Sequence, residues 1–389
     1  MKIALVFPDD FTAWHFYKSL LMALKEKGLD VYVISDIGGD YTGDYRRLIE
    51  GIGVNTKHVK INRYISPIKD LRLLSQLYKI FRQEQFDIVH CFYIKLMILG
   101  SIAAKASKTK LIFGTNEGMG VVGSKESGIV VQLLEPFIMW LVRISWKLSD
   151  RLWFTNKNDV DKYVSQGFLL SQKVIVTKNA INIEHFSPFA VSKDKLNELR
   201  RSLGIRSNDK VVVMIARMIW TKGIREFVDA SQLIRHKYPH VKFLLVAPLD
   251  MRHPQAVSEK YIKHEEKSGS FLWIKFSNDV REIYALSDIV ALPTYYNEGG
   301  YPRTLLEPMG MGKPVITTNS PDSRSVVEDG RNGYIIPQKD STALSNAIEK
   351  LIQDERKCNE YGRYSRLIIE RDFNEQVVID VILHKLYNL

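Results

Sequence analysis

Two carboxylates, Glu298 and Glu307, flank a segment that changes character twice within thirty residues. An apolar strand, Asp288 to Pro293, runs into Gly299, Gly300 and Pro302, and Thr304 to Met309 then has room for about two helical turns before Gly310 and Gly312 stop it. Glu307 falls near a helix start and Glu298 lies in the loop facing it. A helix start presents unpaired N–H groups and partial positive charge, so a diphosphate can rest on the backbone of Gly299, Gly300, Thr304 and Leu305. The carboxylates would then accept hydrogen bonds from neutral hydroxyls on a ribose and a sugar. Upstream, the strand KVVVMIA opens into the loop ARMIWTKG, which supplies Arg217 and Lys222 just before a helix beginning near Ile224. A departing diphosphate gathers negative charge, and a guanidinium and an ammonium answer that charge without a divalent metal. Cations for phosphate and carboxylates for hydroxyls together suit a sugar nucleotide.

Those residues need a scaffold, and the chain is long enough to build one. At 389 residues with 45% apolar content, it exceeds one ordinary core and predicts two α/β domains of roughly 180 residues each, with no disordered class in view. Cys91 and Cys358 are its two cysteines, in no CxxC pair and near no histidine cluster of ligand spacing, so neither disulfide scaffolding nor structural zinc is expected. MKIALVFPDD enters a strand with no cationic leader, and the expected compartment is a reducing cytoplasm.

The net charge of +11 is uneven, since residues 51 to 110 hold 11 Lys and Arg against 3 Asp and Glu. A basic face of this kind meets nucleic acid, an anionic bilayer or a pyrophosphate-bearing acceptor, or is simply solvated. No nucleic-acid motif accompanies it, so nucleic acid is not an expected partner. GIVVQLLEPFIMWL, residues 128 to 141, is the most apolar run, but Glu135 and Pro136 interrupt it, and it is too short to span a bilayer. It is either a buried core helix or an interfacial helix with Trp140 and Trp146 at headgroup depth beside Arg143 and Lys147.

Strand and helix signals alternate through both halves. The first runs KIALVF, a helix from Phe16 to Lys27, DVYVIS, a helix from Asp44 to Gly51, a long helix from Leu71 to Gln85, FDIVHCF, a helical LMILGSIAAKAS, KLIFGTN, RLWFTN and KVIVTKN. The second runs KVVVMIARM, a helix from Ile224 to Lys237, KFLLVAPLD, a helix from His253 to Lys267, FLWIKF, a helix from Val280 to Leu286 and the strand before Glu298. Near-continuous apolar strands of this type belong to parallel sheets covered on both faces. The reading divides the chain into 1–187, 188–373 and an amphipathic terminal segment, 374–389. Parallel sheets bind ligands beyond the carboxyl ends of their strands, so a cleft between two such domains would collect loops from both.

The motifs resemble the retaining glycosyltransferases of family 4. In that family Glu, seven residues and Glu precede a helix and Gly-Lys-Pro-Val-Ile; here Glu298 and Glu307 are followed by Gly312 to Ile316, with eight residues between the glutamates. The Arg217 and Lys222 loop resembles the family's cationic loop. FSNDVREIYALSDIVALPTYY resembles a nucleotide-base loop ahead of the donor strand, which places Phe276 and Ser277 near the base, or else Phe276 in the core. NAINIEHFSP resembles the interdomain linker, with Ala180 where glycine is usual. FYKSLLMALKEKGLDVYVIS, the loop His90 to Lys95 and TNEGMG resemble the subset that elongates polyprenyl-diphosphate-linked oligosaccharides, many of which carry histidine at the position of Glu117.

This resemblance implies the GT-B architecture, two Rossmann-like doubly wound α/β domains facing a cleft, with the last helices crossing back to the first domain. It implies retaining transfer from a nucleoside-diphosphate sugar, with UDP the expected carrier, to a lipid-linked saccharide at the inner face of the membrane, with no metal or other cofactor. Glu298 would hold the donor sugar and Glu307 the ribose. On the acceptor side, His90 and Lys95 at the end of a strand would meet a phosphate, or His90 serves the structure as a lone strand-end histidine more often does, while Glu117 orients a hydroxyl or satisfies backbone groups near Gly118 and Gly120. A sugar-nucleotide epimerase or phosphorylase on the same scaffold, and a non-catalytic binding protein, are the competing expectations.

Overall fold

A computed structural model describes residues 1–37, 43–62, 65–118, 129–251, 253–296 and 298–389, with only the backbone of 129–131. The chain divides into two units, Met1–Lys178 with Gln376–Leu389, and Asn179–Glu375.

In the first unit the strands are β1 (Lys2–Asp9), β2 (Asp30–Asp36), β3 (Asn55–His58), β4 (Ile88–Phe92), β5 (Leu111–Asn116), β6 (Arg151–Phe154) and β7 (Val174–Val176). They form one parallel sheet in the order β3-β2-β1-β4-β5-β6-β7. Alternate side chains of β1 feed two separate cores: Ala4 and Val6 pack on one face, and Ile3, Leu5 and Phe7 on the other. Both faces being covered explains why the central strands read as unbroken apolar runs. β3, an edge strand of sequence NTKH, has no such signature and went unanticipated.

Several boundaries moved for local reasons. The helix expected from Phe16 begins at Asp10, because the Asp9 side chain accepts the N–H of Thr12 at 2.7 Å and starts it early. The helix expected over 253–267 covers Glu259–Glu266, started by the Ser258 hydroxyl accepting from Tyr261 N–H. Helices Ser341–Ile352 and Glu355–Asp372 were not anticipated.

The second unit contains β8 (Lys210–Ile215), β9 (Val241–Val246), β10 (Leu272–Ile274), β11 (Ile289–Leu292), β12 (Val315–Thr318) and β13 (Gly333–Ile336), again parallel, in the order β10-β9-β8-β11-β12-β13. The order reverses between β8 and β11, which makes their carboxyl ends the topological switch point, the usual ligand position in such sheets. The division between units falls after Lys178, not near Pro188. Ile181 N–H donates to Phe373 O, and Ile181 and Phe186 are buried in the second unit's core, so this linker belongs to it.

The terminal segment forms a helix, Glu375–Ile382, and one π-helical turn, Leu383–Tyr387. It buries Ile379, Ile382, Leu383, Leu386 and Tyr387 beside Ile3, Leu5 and Phe7 of the first unit. Fully burying an apolar side chain is worth about 1.5–3 kcal/mol, so the segment is firmly seated there. Arg151 Nη1 secures its end by donating to Lys385 O, Leu386 O and Asn388 Oδ1.

Candidate functional site

β8 and β11 pair directly, Val212 with Ile289 and Val213 with Val290, so the loops that follow them leave the same sheet edge side by side. After β8, a 3₁₀ turn at Trp220–Lys222 ends at Gly223, whose φ of 84° initiates the helix Ile224–Lys237. A Cβ on Gly223 would lie 2.2 Å from Pro293 O, so glycine is required both for the left-handed backbone and for the close approach of the two loops. Tyr295 N–H then donates to Thr221 O at 2.9 Å and stitches them together.

This seam brings three of the expected residues into one group. Lys222 Nζ contacts Glu298 Oε2, with the two side chains only 10% and 8% exposed, and Thr294 Oγ1 donates to Glu298 Oε1 at 2.9 Å. Arg217 Nη1 reaches Asp250 Oδ2 at 3.3 Å. The ring of Tyr296 lies 5.4 Å from the Arg217 guanidinium and 4.8 Å from Lys222 Nζ. Burial pulls the Lys222 ammonium below its ordinary value, while Glu298 works against that shift. Two cations, each paired with a carboxylate, are therefore held in a partly desolvated cluster, where electrostatic interactions are stronger than in water.

Glu307 lies in the helix that the sequence reading expected. It sits in the helix Arg303–Gly310, 8% exposed, with Oε1 receiving Arg303 Nε at 3.2 Å and Oε2 receiving the Tyr284 hydroxyl at 3.4 Å. Burial raises its pKa, against the opposing pull of Arg303. Arg303 Nη1 in turn donates to Ala180 O, so the linker residue fixes the guanidinium that faces Glu307. Thr304 and Leu305 occupy the first turn of that helix. Phe276 and Ser277 follow β10, and both are half-buried; Phe276 lies outside the apolar core cluster, and Ser277 Oγ donates to Asp279 O at 3.1 Å.

Asp322, which sequence reasoning missed, enters from the short helix Pro321–Arg324 that follows β12. Its Oδ2 accepts Gly299 N–H at 2.9 Å, and the N–H groups of Gly300 and Glu298 also point to this carboxylate. The only sequence signal was the extra residue in the Glu298 loop.

Two family models match this chain: one described as glycosyl transferases group 1 over residues 196–367, the other as glycosyl transferase 4-like over residues 2–156. The chain belongs to the family 4 glycosyltransferases. It is 24% identical over 357 residues to an N,N'-diacetylbacillosaminyl-diphospho-undecaprenol α-1,3-N-acetylgalactosaminyltransferase of Campylobacter jejuni, covering 92% of this chain and 90% of the relative. It is 26% identical to a UDP-Gal:α-D-GlcNAc-diphosphoundecaprenol α-1,3-galactosyltransferase of Escherichia coli, covering 83% of each. The crystal structure of Anabaena HepE in complex with UDP-glucose superposes with a TM-score of 0.76 at 19% identity over 100% of both chains, which establishes the GT-B fold.

In the first unit of this glycosyltransferase, the expected acceptor-side residues separate. His90 is fully buried, its Nδ1 2.5 Å from the Tyr387 hydroxyl and its Nε2 2.6 Å from Thr115 Oγ1. Burial pulls its pKa down to about 3, so the ring is neutral at physiological pH. It cannot meet an acceptor phosphate. His90 shares the face of β4 that carries Ile88 and Phe92, and its role is to receive the C-terminal segment. Lys95 pairs with Asp70 Oδ1 and donates to Asn62 O, each at 2.6 Å, which ties the helices Pro67–Glu84 and Ile94–Ala106 together. Glu117, at the end of β5, accepts from the Tyr17 hydroxyl; Gly118 beside it has φ 116°, and Gly120 lies outside the described residues. Tyr93, between β4 and the helix Ile94–Ala106, has φ 67°. A non-glycine residue there costs of order 1–3 kcal/mol, a strain common near functional sites, and no sequence pattern announces it.

The helix Ile129–Leu148 resolves the question posed by the apolar run. Trp146 is 2% exposed and stacks near Phe154 and Tyr163, so it belongs to the core and not to an interface. Trp140, by contrast, is 53% exposed and stacks on Phe137, itself 57% exposed. Among the described residues, no helix is long and apolar enough to cross a membrane.

Proposed function

We propose that this enzyme transfers a hexose or N-acetylhexosamine, with retention of configuration, from a UDP-sugar to a lipid-linked saccharide acceptor in surface-polysaccharide synthesis. The observation that carries the donor half is the cationic wall at the switch point: Arg217 and Lys222 stand on one loop and meet the glutamate-bearing loop after β11. Charge that develops on a leaving diphosphate is stabilised by such fixed cations, because they need no reorganisation as the bond breaks. Guanidinium adds bidentate geometry, which suits Arg217 to a phosphate oxygen pair. Lys222 already holds Glu298, so an arriving diphosphate shares an ammonium that is positioned in advance. Glu298 then lies where a sugar hydroxyl attached to that diphosphate would reach it, and the helix start at Arg303 and Thr304 presents N–H groups to the same anion. Phe276 and Ser277 are assigned to the base side, Glu307 to the ribose through its hydrogen-bonded carboxylate, and Glu117 to the acceptor. No metal is required in this scheme.

The acceptor half is supported by the two relatives, whose names specify undecaprenol diphosphate-linked substrates. A lipid-bound acceptor calls for contact with an anionic membrane on the cytoplasmic side. Leu133, Phe137 and Trp140 form an exposed stripe at helical spacing on Ile129–Leu148. Ile68 and Leu71 are exposed beside Lys69 and Arg72 on Pro67–Glu84. Apolar side chains interleaved with cations are the pattern of interfacial binding.

Radiolabelled nucleotide sugars, screened for transfer with and without bacterial lipid extract, test the activity. Transfer of label from a UDP-sugar into the lipid fraction is expected. Isomerised free donor, or turnover that depends on inorganic phosphate, would refute it. Replacement of Trp140 by Ser should reduce pelleting with anionic vesicles while transfer to a soluble acceptor analogue persists; unchanged pelleting would remove this helix from the membrane surface.

A further inference from the structure

The spacing of the two glutamates departs from the family's by one residue, and the loop that carries the difference is held by a carboxylate from another strand's connection. Gly299 N–H donates to Asp322 Oδ2 at 2.9 Å, and the backbone amides of Glu298 and Gly300 on either side also favour the charge of this carboxylate. Gly299 has φ 71° and Gly300 φ 144°, conformations in which a side chain would be strained. Successive N–H groups turned to one side form a nest, a concavity that selects an anion. In a protein that handles a diphosphate, such a nest beside Lys222 and Arg217 would ordinarily invite phosphate. Here it is filled from within, by a side chain on the short helix after β12, the strand next to β11 in the sheet.

Two consequences follow from electrostatics. A second anion cannot enter a nest that already holds a carboxylate, since like charges in contact repel strongly in a partly buried setting. The diphosphate is therefore directed to the cations and the helix start. The Glu298 loop is also pinned at the point where its extra residue would otherwise loosen it, so that Glu298 meets both Lys222 and Thr294. The cost is visible at Asp322 itself: burial raises its pKa even though three N–H groups favour its charge, and neighbouring Glu298 adds to the rise.

We propose that Asp322 is the internal anion of this nest: a positioning residue that sets the eight-residue turn between Glu298 and Glu307 and keeps the donor diphosphate off the Gly299 and Gly300 amides. The proposal rests on the donor reading above and adds to it a residue that never touches the donor.

The test uses UDP as the probe, titrated calorimetrically into the wild-type enzyme, Asp322→Ala and Asp322→Asn, with amide hydrogen exchange followed at Gly299 and Gly300. Loss of charge-assisted bonds that order a binding loop should weaken UDP binding in Asp322→Ala by about tenfold or more. Both amides should exchange faster. Added formate, a carboxylate small enough to take the vacated place, should restore affinity and slow exchange in Asp322→Ala while leaving the wild type unchanged. Asp322→Asn, which keeps an acceptor oxygen and nearly the same shape, should fall between the two and supplies the comparison if the alanine variant does not fold. Equal UDP affinity and equal exchange in all three proteins would overturn the proposal. So would tighter UDP binding by Asp322→Ala, which would make Asp322 a competitor of the donor. Absence of UDP binding by the wild type would refute the donor reading and the donor half of this proposal together, while the exchange and formate measurements would still decide whether Asp322 holds the nest.

Discussion

Removing the charge of Lys222 should damage stability and donor binding together, and removing its partner as well should repair only the stability. Lys222 and Glu298 are both about nine-tenths buried and in contact, so Lys222→Met strands a carboxylate that retains the Thr294 hydroxyl but loses its counter-charge. Breaking a buried pair from one side costs roughly 3–5 kcal/mol, a large part of the 5–15 kcal/mol that holds an ordinary domain together. For a urea slope of about 2–3 kcal/mol/M, the unfolding midpoint of the second unit should fall by about 1–2 M. Glu298→Gln alone should also destabilise, since it leaves the buried ammonium unpaired. The double variant, Lys222→Met with Glu298→Gln, removes both charges and should return to within about 1 kcal/mol of the wild type. Its sugar transfer should stay low, because the ammonium is gone. Urea unfolding followed by circular dichroism, in parallel with a transfer assay, completes the double-mutant cycle. Additive destabilisation by the two single changes would show that the pair is not coupled, and wild-type transfer by the double variant would remove Lys222 from the donor site.

Gly223→Ala places a methyl group against Pro293 O in a left-handed backbone, so it should lower the unfolding midpoint strongly and weaken UDP binding by separating the two loops, both measurable in one preparation. For His90 the sign is that of a depressed pKa: the unfolded ring binds a proton near pH 6.5 but the folded ring only near 3, so the stability it supports is complete above 6.5 and is lost as pH falls towards 3. That loss is roughly 5 kcal/mol over the window, and His90→Gln should flatten it in acid unfolding curves. Trp146→Ser should unfold the first unit at lower urea, by roughly 3–5 kcal/mol for a buried aromatic removed, whereas Trp140→Ser should leave the midpoint unchanged.

What was legible from the sequence follows from burial. Central strands such as KVVVMI and IALVF are apolar throughout because helices cover both faces of each sheet, and that pattern needs no tertiary knowledge. The switch-point loops were legible too, since Arg217, Lys222 and Glu298 are charges beside glycines at strand ends. The rest depended on contacts remote in sequence. His90 looked like a strand-end ligand, yet Tyr387, nearly three hundred residues later, closes over it. Trp140 and Trp146 are six positions apart in one helix, and only the packing against Phe154 and Tyr163 tells the buried ring from the exposed one. Asp322 lay in an unremarkable turn, and its meaning appears only when the Gly299 amide is found pointing at it. The domain boundary moved by nine residues because Ile181 pairs with the backbone at Phe373, another distant partner.

The central claim is that the loops after β8 and β11 jointly hold a nucleoside diphosphate, and calorimetric titration of UDP into the wild-type enzyme and Arg217→Ala tests it most directly. Saturable one-to-one binding by the wild type is expected, with affinity lower by about tenfold or more when the guanidinium is removed and the dichroism spectrum unchanged. Equal affinity of the two proteins for UDP would contradict the account.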